Sequence, residues 1–243
     1  YFSFGKSIHT ALEFFYGGKE PAAPSLPKLL KAYKAGWVSE AYRDRSHEEM
    51  SFEQGKSMLI AFYHKHAPDF SLPMAVERHL DCRIDGIPVT GVVDRVDDSP
   101  DGGLSLMEYK TGKKDRYAPG GEEKDKGKRF QLVMYQLLAE QVYGRKVDKV
   151  TFYFIPTLTA HEYPRAGEDA SSEWKCVIVS TAKSICGENF EPAPDEKKCL
   201  WCDYKPLCPV FRKDVPTSLA LAEDEAQAKG RDSDDELAGL VDR

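Results

Sequence analysis

The chain has 243 residues, 41% of them hydrophobic, enough for the core of one large domain or two small ones. No run approaches the roughly 20 apolar residues of a membrane-spanning helix, and the start lacks the charged-then-apolar layout of a signal peptide. A soluble, cytoplasmic protein is therefore expected, and the net charge of -6 disfavours one that coats nucleic acid over its whole surface.

The chain opens on Tyr1 rather than Met and is at once helix-like, which points to a start partway through a longer protein. Phe4, Ile8, Leu12 and Phe15 recur at helical spacing until Gly17 and Gly18, which places His9 on a helix. A Pro-rich break at 21–27 precedes two more helical stretches, 28–45 and 47–65. The period then changes. Val76, Leu80, Cys82 and Ile84 alternate with Glu77, His79, Asp81 and Arg83, and Asp85-Gly86 signals a hairpin turn.

A second strand, IPVTGVVDRVDD, ends in a Ser-Pro-Asp-Gly-Gly turn, and LSLMEYK forms a third, making three consecutive antiparallel strands. KRFQLVMYQLLAEQVYG reads as an amphipathic helix closed by Gly144, and VDKVTFYFIP as another strand. Residues 174–179 suggest one more strand and 180–188 a short helix. The residues from 213 to 243 form an acidic tail, helical or disordered. The expected fold is α/β, a mixed sheet flanked by helices. Its core spans 1–190 with a helical insertion at about 20–70, followed by a cysteine-rich segment at 191–212.

Local charge departs from the average. Between Lys110 and Arg129 lie eight basic residues, including Lys113, Lys114, Arg116, Lys124, Lys126 and Lys128, against four acidic ones. By itself this is an ordinary solvated loop. Its neighbours carry chemistry. Asp94 interrupts an apolar Gly-Val-Val run, and Glu108 and Lys110 flank Tyr109 on one face of the next strand. Paired through the 98–103 turn, Asp94 and Glu108 could hold a hard cation such as magnesium or manganese. Lys110 could orient a water or stabilise a pentacovalent phosphate.

An isolated E-x-K is commonly just an exposed strand edge. Here G-V-V-D-R, a short turn and L-M-E-Y-K-T-G together resemble the central motifs of the PD-(D/E)XK nuclease superfamily. Q-L-V-M-Y narrows the resemblance to the RecB-like branch, which includes the nuclease domains of recombination helicases and the small CRISPR-adaptation exonucleases. Gln131 and Tyr135, four apart on one helix face, would border the active site in that family. His9 matches the upstream histidine that completes the metal shell, with Asp94, Glu108 and the backbone carbonyl near Tyr109. Glu77 stands on a strand where the family often carries an acid, with no definite role assigned.

Cys199, Cys202 and Cys208, in C-L-W-C-D-Y-K-P-L-C-P, are close enough in sequence to suit a soft metal or an iron-sulfur cluster. In iron-sulfur members of the branch a fourth cysteine lies upstream of the histidine helix, a region outside this chain. Cys82, Cys176 and Cys186 follow no family pattern, which leaves a 4Fe-4S cluster, an incomplete site or zinc open. The resemblance implies a metal-dependent exonuclease acting on single-stranded DNA or DNA ends, in repair, recombination or CRISPR adaptation, beside a helicase or an integrase. The competing expectation is a DNA-end-binding assembly module with little cleavage. Another phosphotransfer enzyme lacks support, since neither a P-loop nor G-x-G-x-x-G is present.

Overall fold

A computed structural model describes residues 2–112 and 122–211, with the backbone alone at 122–128 and 201. The residues expected to form a cationic loop, Lys113, Lys114 and Arg116, lie outside the described residues, as do the side chains of Lys124, Lys126 and Lys128 and the acidic tail at 213–243. Two compact units divide the chain at residues 182 and 183.

The first unit begins with three helices, α1 (Phe2–Tyr16), α2 (Leu26–Ala35) and α3 (Arg45–His66). The stretch expected as one helix from 28 to 45 stops at Ala35. The physical reason is Gly36. A Cβ there would stand 2.7 Å from Thr10 Cγ2, so glycine lets the end of α2 approach α1 closely. Helix α3 restarts at Asp44, whose carboxylate accepts the His47 N–H at 2.8 Å as an N-cap.

Strands β1 (Ala75–Ile84), β2 (Ile87–Asp98) and β3 (Leu104–Lys110) form the expected antiparallel meander. The β1–β2 hairpin closes at Ile84↔Ile87, with Asp85 and Gly86 at φ of 48° and 83°, as a two-residue primed turn requires. Helix α4 (Glu122–Tyr143) then crosses over to β4 (Val147–Phe154), which lies parallel to β3. Strand β5 (Thr159–Pro164), absent from the sequence reading, adds an antiparallel edge. Its six residues, TAHEYP, are too polar to announce a strand, and pairing with β4 supplies what composition does not.

The sheet is thus mixed, in the order β1-β2-β3-β4-β5. On one face Ile8 and Phe15 of α1 and Leu59 and Phe62 of α3 pack with Tyr109 and Tyr153. On the other, Leu132 and Leu138 of α4 pack with Leu106, Phe152 and Phe154. Consecutive residues of β3 and β4 therefore enter different cores, the sandwiching expected of an α/β sheet covered on both faces.

The expected strand at 174–179 is a correction: Glu168–Cys186 is a single helix, α5. Ser171 and Ile178, two turns apart, are its buried positions, and Trp174 packs beside them. Helical spacing of the buried side outweighs the β-branched run Val177-Ile178-Val179. In the second unit a 3-10 turn covers Lys198–Trp201. The Asp195 carboxylate starts it by accepting the N–H groups of Lys197 and Lys198 at 2.9 and 2.8 Å. Among the described residues no helix is long and apolar enough to cross a membrane.

Candidate active site

Strand β2 loses its partners at Asp94. The β1–β2 ladder runs from Ala75↔Val96 to Val76↔Arg95 and resumes only at Arg78↔Val93. The β2–β3 ladder begins at Arg95↔Met107, leaving Asp94 and Glu108 unpaired with each other. Both neighbours thus part from β2 at one residue. Glu77, the residue of β1 at this gap, has φ of 42°, a left-handed conformation that costs a side-chain-bearing residue about 1–3 kcal/mol.

The gap brings together residues from three regions of the chain. Asp94, 7% exposed, places Oδ1 at 3.0 Å from His9 Nδ1 on α1, and its Oδ2 accepts the Tyr109 N–H at 2.6 Å. That second bond replaces a missing ladder acceptor with a carboxylate. Glu77 Oε1 lies 3.6 Å from the same imidazole nitrogen. His9, Glu77 and Asp94 each present one donor atom within 4.8 Å of the others, the one such group of three His, Cys, Asp or Glu found among the described residues.

Beside this group Glu108, also 7% exposed, accepts hydrogen bonds through Oε1 from Lys110 Nζ at 2.9 Å and Gln131 Nε2 at 3.1 Å. Lys110 also donates to Gln131 Oε1 at 3.1 Å, and Gln131 Nε2 donates to Tyr135 Oη at 2.9 Å. Gln131 therefore bridges acid and lysine, while Tyr135, one turn along α4, holds the amide. The Lys110 ammonium also lies 4.9 Å from the centre of the Phe152 ring. Glu108 Oε2 is buried and has no hydrogen-bond partner among the described residues.

Burial and the charge of Asp94 push the Glu108 carboxyl above its ordinary range, despite the attraction of Lys110. Burial by itself would lower the His9 imidazole, but hydrogen bonds to Asp94 and Glu77 reverse that and raise it to about 10. Without a metal, then, a proton on His9 is the cation that offsets the carboxylates. Three carboxylates and one imidazole, with one buried carboxylate oxygen unpartnered, are a donor set that fits a hard divalent ion. Tyr135, raised by burial and by Glu108, stays a neutral phenol.

Of the residues expected at the site from sequence, Glu108, Lys110, Gln131 and Tyr135 form one hydrogen-bonded group, and His9, Asp94 and the Tyr109 N–H form another. Glu77 joins the second without having been assigned a part. The signal was the Asp85-Gly86 turn, because counting back from Ile84↔Ile87 sets Glu77 opposite Asp94. The cysteines behave otherwise. Cys199, Cys202 and Cys208 are free, and their sulfurs do not gather within the 4.8 Å that a single ion needs. Their arrangement does not fit a tetrahedral zinc site, where sulfurs stand about 3.8 Å apart.

Comparison with known proteins decides the family. The profile of the PD-(D/E)XK nuclease superfamily matches residues 1–209. This chain belongs to the PD-(D/E)XK nuclease superfamily. The RecB-like resemblance is consistent with that family. The Gene 69 protein of Mycobacterium phage D29 is 31% identical over 147 residues, which are 57% of this chain and 49% of the phage protein. That of phage L5 is 28% identical over 143 residues, 57% of this chain and 45% of its own length. The chain thus spans about half the length of these curated relatives.

Among solved structures, SSO0001 aligns with a TM-score of 0.41 at 14% identity, over 86% of this PD-(D/E)XK chain and 85% of that one. A candidate exonuclease from Eubacterium rectale aligns with a TM-score of 0.41 at 12% identity, over 90% and 92% of the two chains.

Proposed function

We propose that the protein is a divalent-metal-dependent deoxyribonuclease, an exonuclease that hydrolyses phosphodiester bonds of single-stranded DNA or DNA ends. The observation that carries this reading is the buried Glu108 Oε2, without a hydrogen-bond partner among the described residues, beside the group of His9, Glu77 and Asp94. A buried carboxylate oxygen with no donor to accept from costs stability, and a bound divalent ion would supply that oxygen with a partner.

His9, Asp94 and Glu108, with the backbone carbonyl at Tyr109, would hold magnesium or manganese, and Glu77 adds a further oxygen. When bound, the ion supplies Lewis-acid stabilisation of the phosphate and a water acidic enough to attack near neutral pH. Lys110 presents an ammonium beside that position, to orient the water or to meet charge building on the phosphate oxygens. Gln131 holds Glu108 and Lys110 in register, and Tyr135 fixes Gln131. Work in repair, recombination or CRISPR adaptation, beside a helicase or an integrase, is what the RecB-like resemblance implies.

The test is cleavage of end-labelled single- and double-stranded DNA with manganese or magnesium, using wild type, Asp94→Ala and Lys110→Ala. Metal-dependent loss of full-length DNA by wild type alone is expected, with mononucleotides or short oligonucleotides released from an end. DNA left equally intact by all three proteins would overturn the catalytic reading and favour a DNA-end-binding module.

A further inference from the structure

His9 and Tyr16 stand seven residues apart on α1, two turns along one side of the helix. They meet consecutive residues of β2. His9 bonds Asp94, and the Tyr16 ring packs against the Arg95 guanidinium, whose central carbon is 4.1 Å from the ring centre. One contact lies in the metal cradle and the other in a cavity of about 160 Å³ lined by Phe62, His66, Tyr109 and Tyr153. Helix α1 is thereby fastened to β2 at two adjacent points.

Arg95 is an unusual residue to find there, because it is only 9% exposed. Its Nε donates to both Asp97 oxygens at 3.0 and 2.7 Å, and its Nη2 donates to Oδ1 at 2.7 Å. The fork fixes the guanidinium plane, and the flat face left over is the one Tyr16 covers. A buried ion pair of this kind is a poor way to gain stability, since desolvation cancels much of the attraction. It is a good way to fix geometry. Geometry is what this place needs, because β2 has no ladder partner at Asp94 on either side.

We propose that Arg95, oriented by Asp97 and stacked on Tyr16, is a positioning residue that sets the height of α1 along β2 at which His9 reaches the metal. The inference rests on the metal-dependent reading of the site. Among the described residues the hydrogen bonds and ring contact of Arg95 go to Asp97 and Tyr16 and not to the side chains of His9, Glu77, Asp94 or Glu108, so it acts through His9. A purely structural ion pair would weaken the protein as a whole. A positioning pair produces a loss that disappears when His9 is already gone.

The test is a double-mutant cycle read by Mn2+ affinity on the full chain, with thermal melts confirming that each variant is folded. Arg95→Met should bind Mn2+ about tenfold more weakly than wild type, the scale of residues that orient metal ligands. In a His9→Ala background the same substitution should cost less than about twofold. Tyr16→Phe keeps the ring and should bind as wild type, whereas Tyr16→Leu should follow Arg95→Met. If Arg95→Met does not fold, the cycle is run with Tyr16→Leu and judged in the same way. Equal losses in both backgrounds, or no loss in either, overturn the positioning role. No Mn2+ binding by wild type overturns the metal reading itself, a distinct result.

Discussion

His9 Nδ1 and Asp94 Oδ1 meet at 3.0 Å across 85 residues of sequence, and the bond ties the first helix to the one residue of β2 that neither flanking ladder holds. A proton on His9 and a bound metal ion would therefore compete for the same donors.

That competition fixes a pH dependence. His9 is raised to about 10 in the metal-free fold, so its pairing with Asp94 and Glu77 contributes stability that is fully present below about pH 6.5 and is lost as pH rises through about 10. A metal must displace that proton. Mn2+ affinity should rise with pH between 6 and 8, and calorimetry in buffers of different ionisation heat should show about one proton or more released per ion. A flat affinity over that range would mean that His9 is not a ligand.

Glu77 trades backbone strain for a carboxylate oxygen. Glu77→Gly and Glu77→Ala should both weaken Mn2+ binding, by about tenfold on the scale of a lost carboxylate partner. Only the glycine relieves the φ of 42°, so the metal-free Gly variant should be more stable than the Ala variant by about 1 kcal/mol in denaturant titrations.

Lys110 and Glu108 form a pair whose side chains are 13% and 10% exposed. Lys110→Met should lower cleavage by a factor of about 100–1000, as loss of one transition-state donor does, while leaving Mn2+ binding in place. It also leaves Glu108 without its cation, which for a buried pair costs about 3–5 kcal/mol. Mn2+ should restore more of the melting temperature in Lys110→Met than it adds to wild type. Loss of metal binding in this variant would assign Lys110 to holding the site rather than to the reaction.

His66 tests the opposite face of the sheet. Burial, with Lys65 and Arg95 nearby, lowers its imidazole to about 4, and its Nε2 sits 2.6 Å from Tyr153 Oη. The unfolded chain therefore binds this proton more readily than the folded one, and stability should fall as pH drops from about 6.5 toward 4. The expected loss is on the order of 1 kcal/mol, because the ring is only half-buried. Unfolding of His66→Phe, followed at pH 7 and pH 4.5, should show a smaller difference than wild type.

Residues whose neighbours are fixed by local rules could be placed from sequence. The Asp85-Gly86 turn sets the β1–β2 register, strand alternation puts Glu108 and Lys110 on one side, and helical spacing puts Gln131 and Tyr135 on one face. Where two local signals conflict, local pattern does not decide the structure. The β-branched run at 177–179 suggested a strand, yet Ser171, Trp174 and Ile178 bury one side of a helix. Strand β5 carried no signal of its own, since its place depends on the edge that β4 offers.

By itself the sequence determined the order of the meander and the crossover helix, and which side chains could carry the chemistry, because turn chemistry and side-chain period act over a few residues. Only the tertiary structure decided that Asp94 stands in a gap between two ladders, that Glu77 enters the His9 cradle in a strained backbone, and that Arg95 stacks on Tyr16 behind it. Those depend on how α1 crosses β2. A contact between residues 85 apart is set by packing that no local period records.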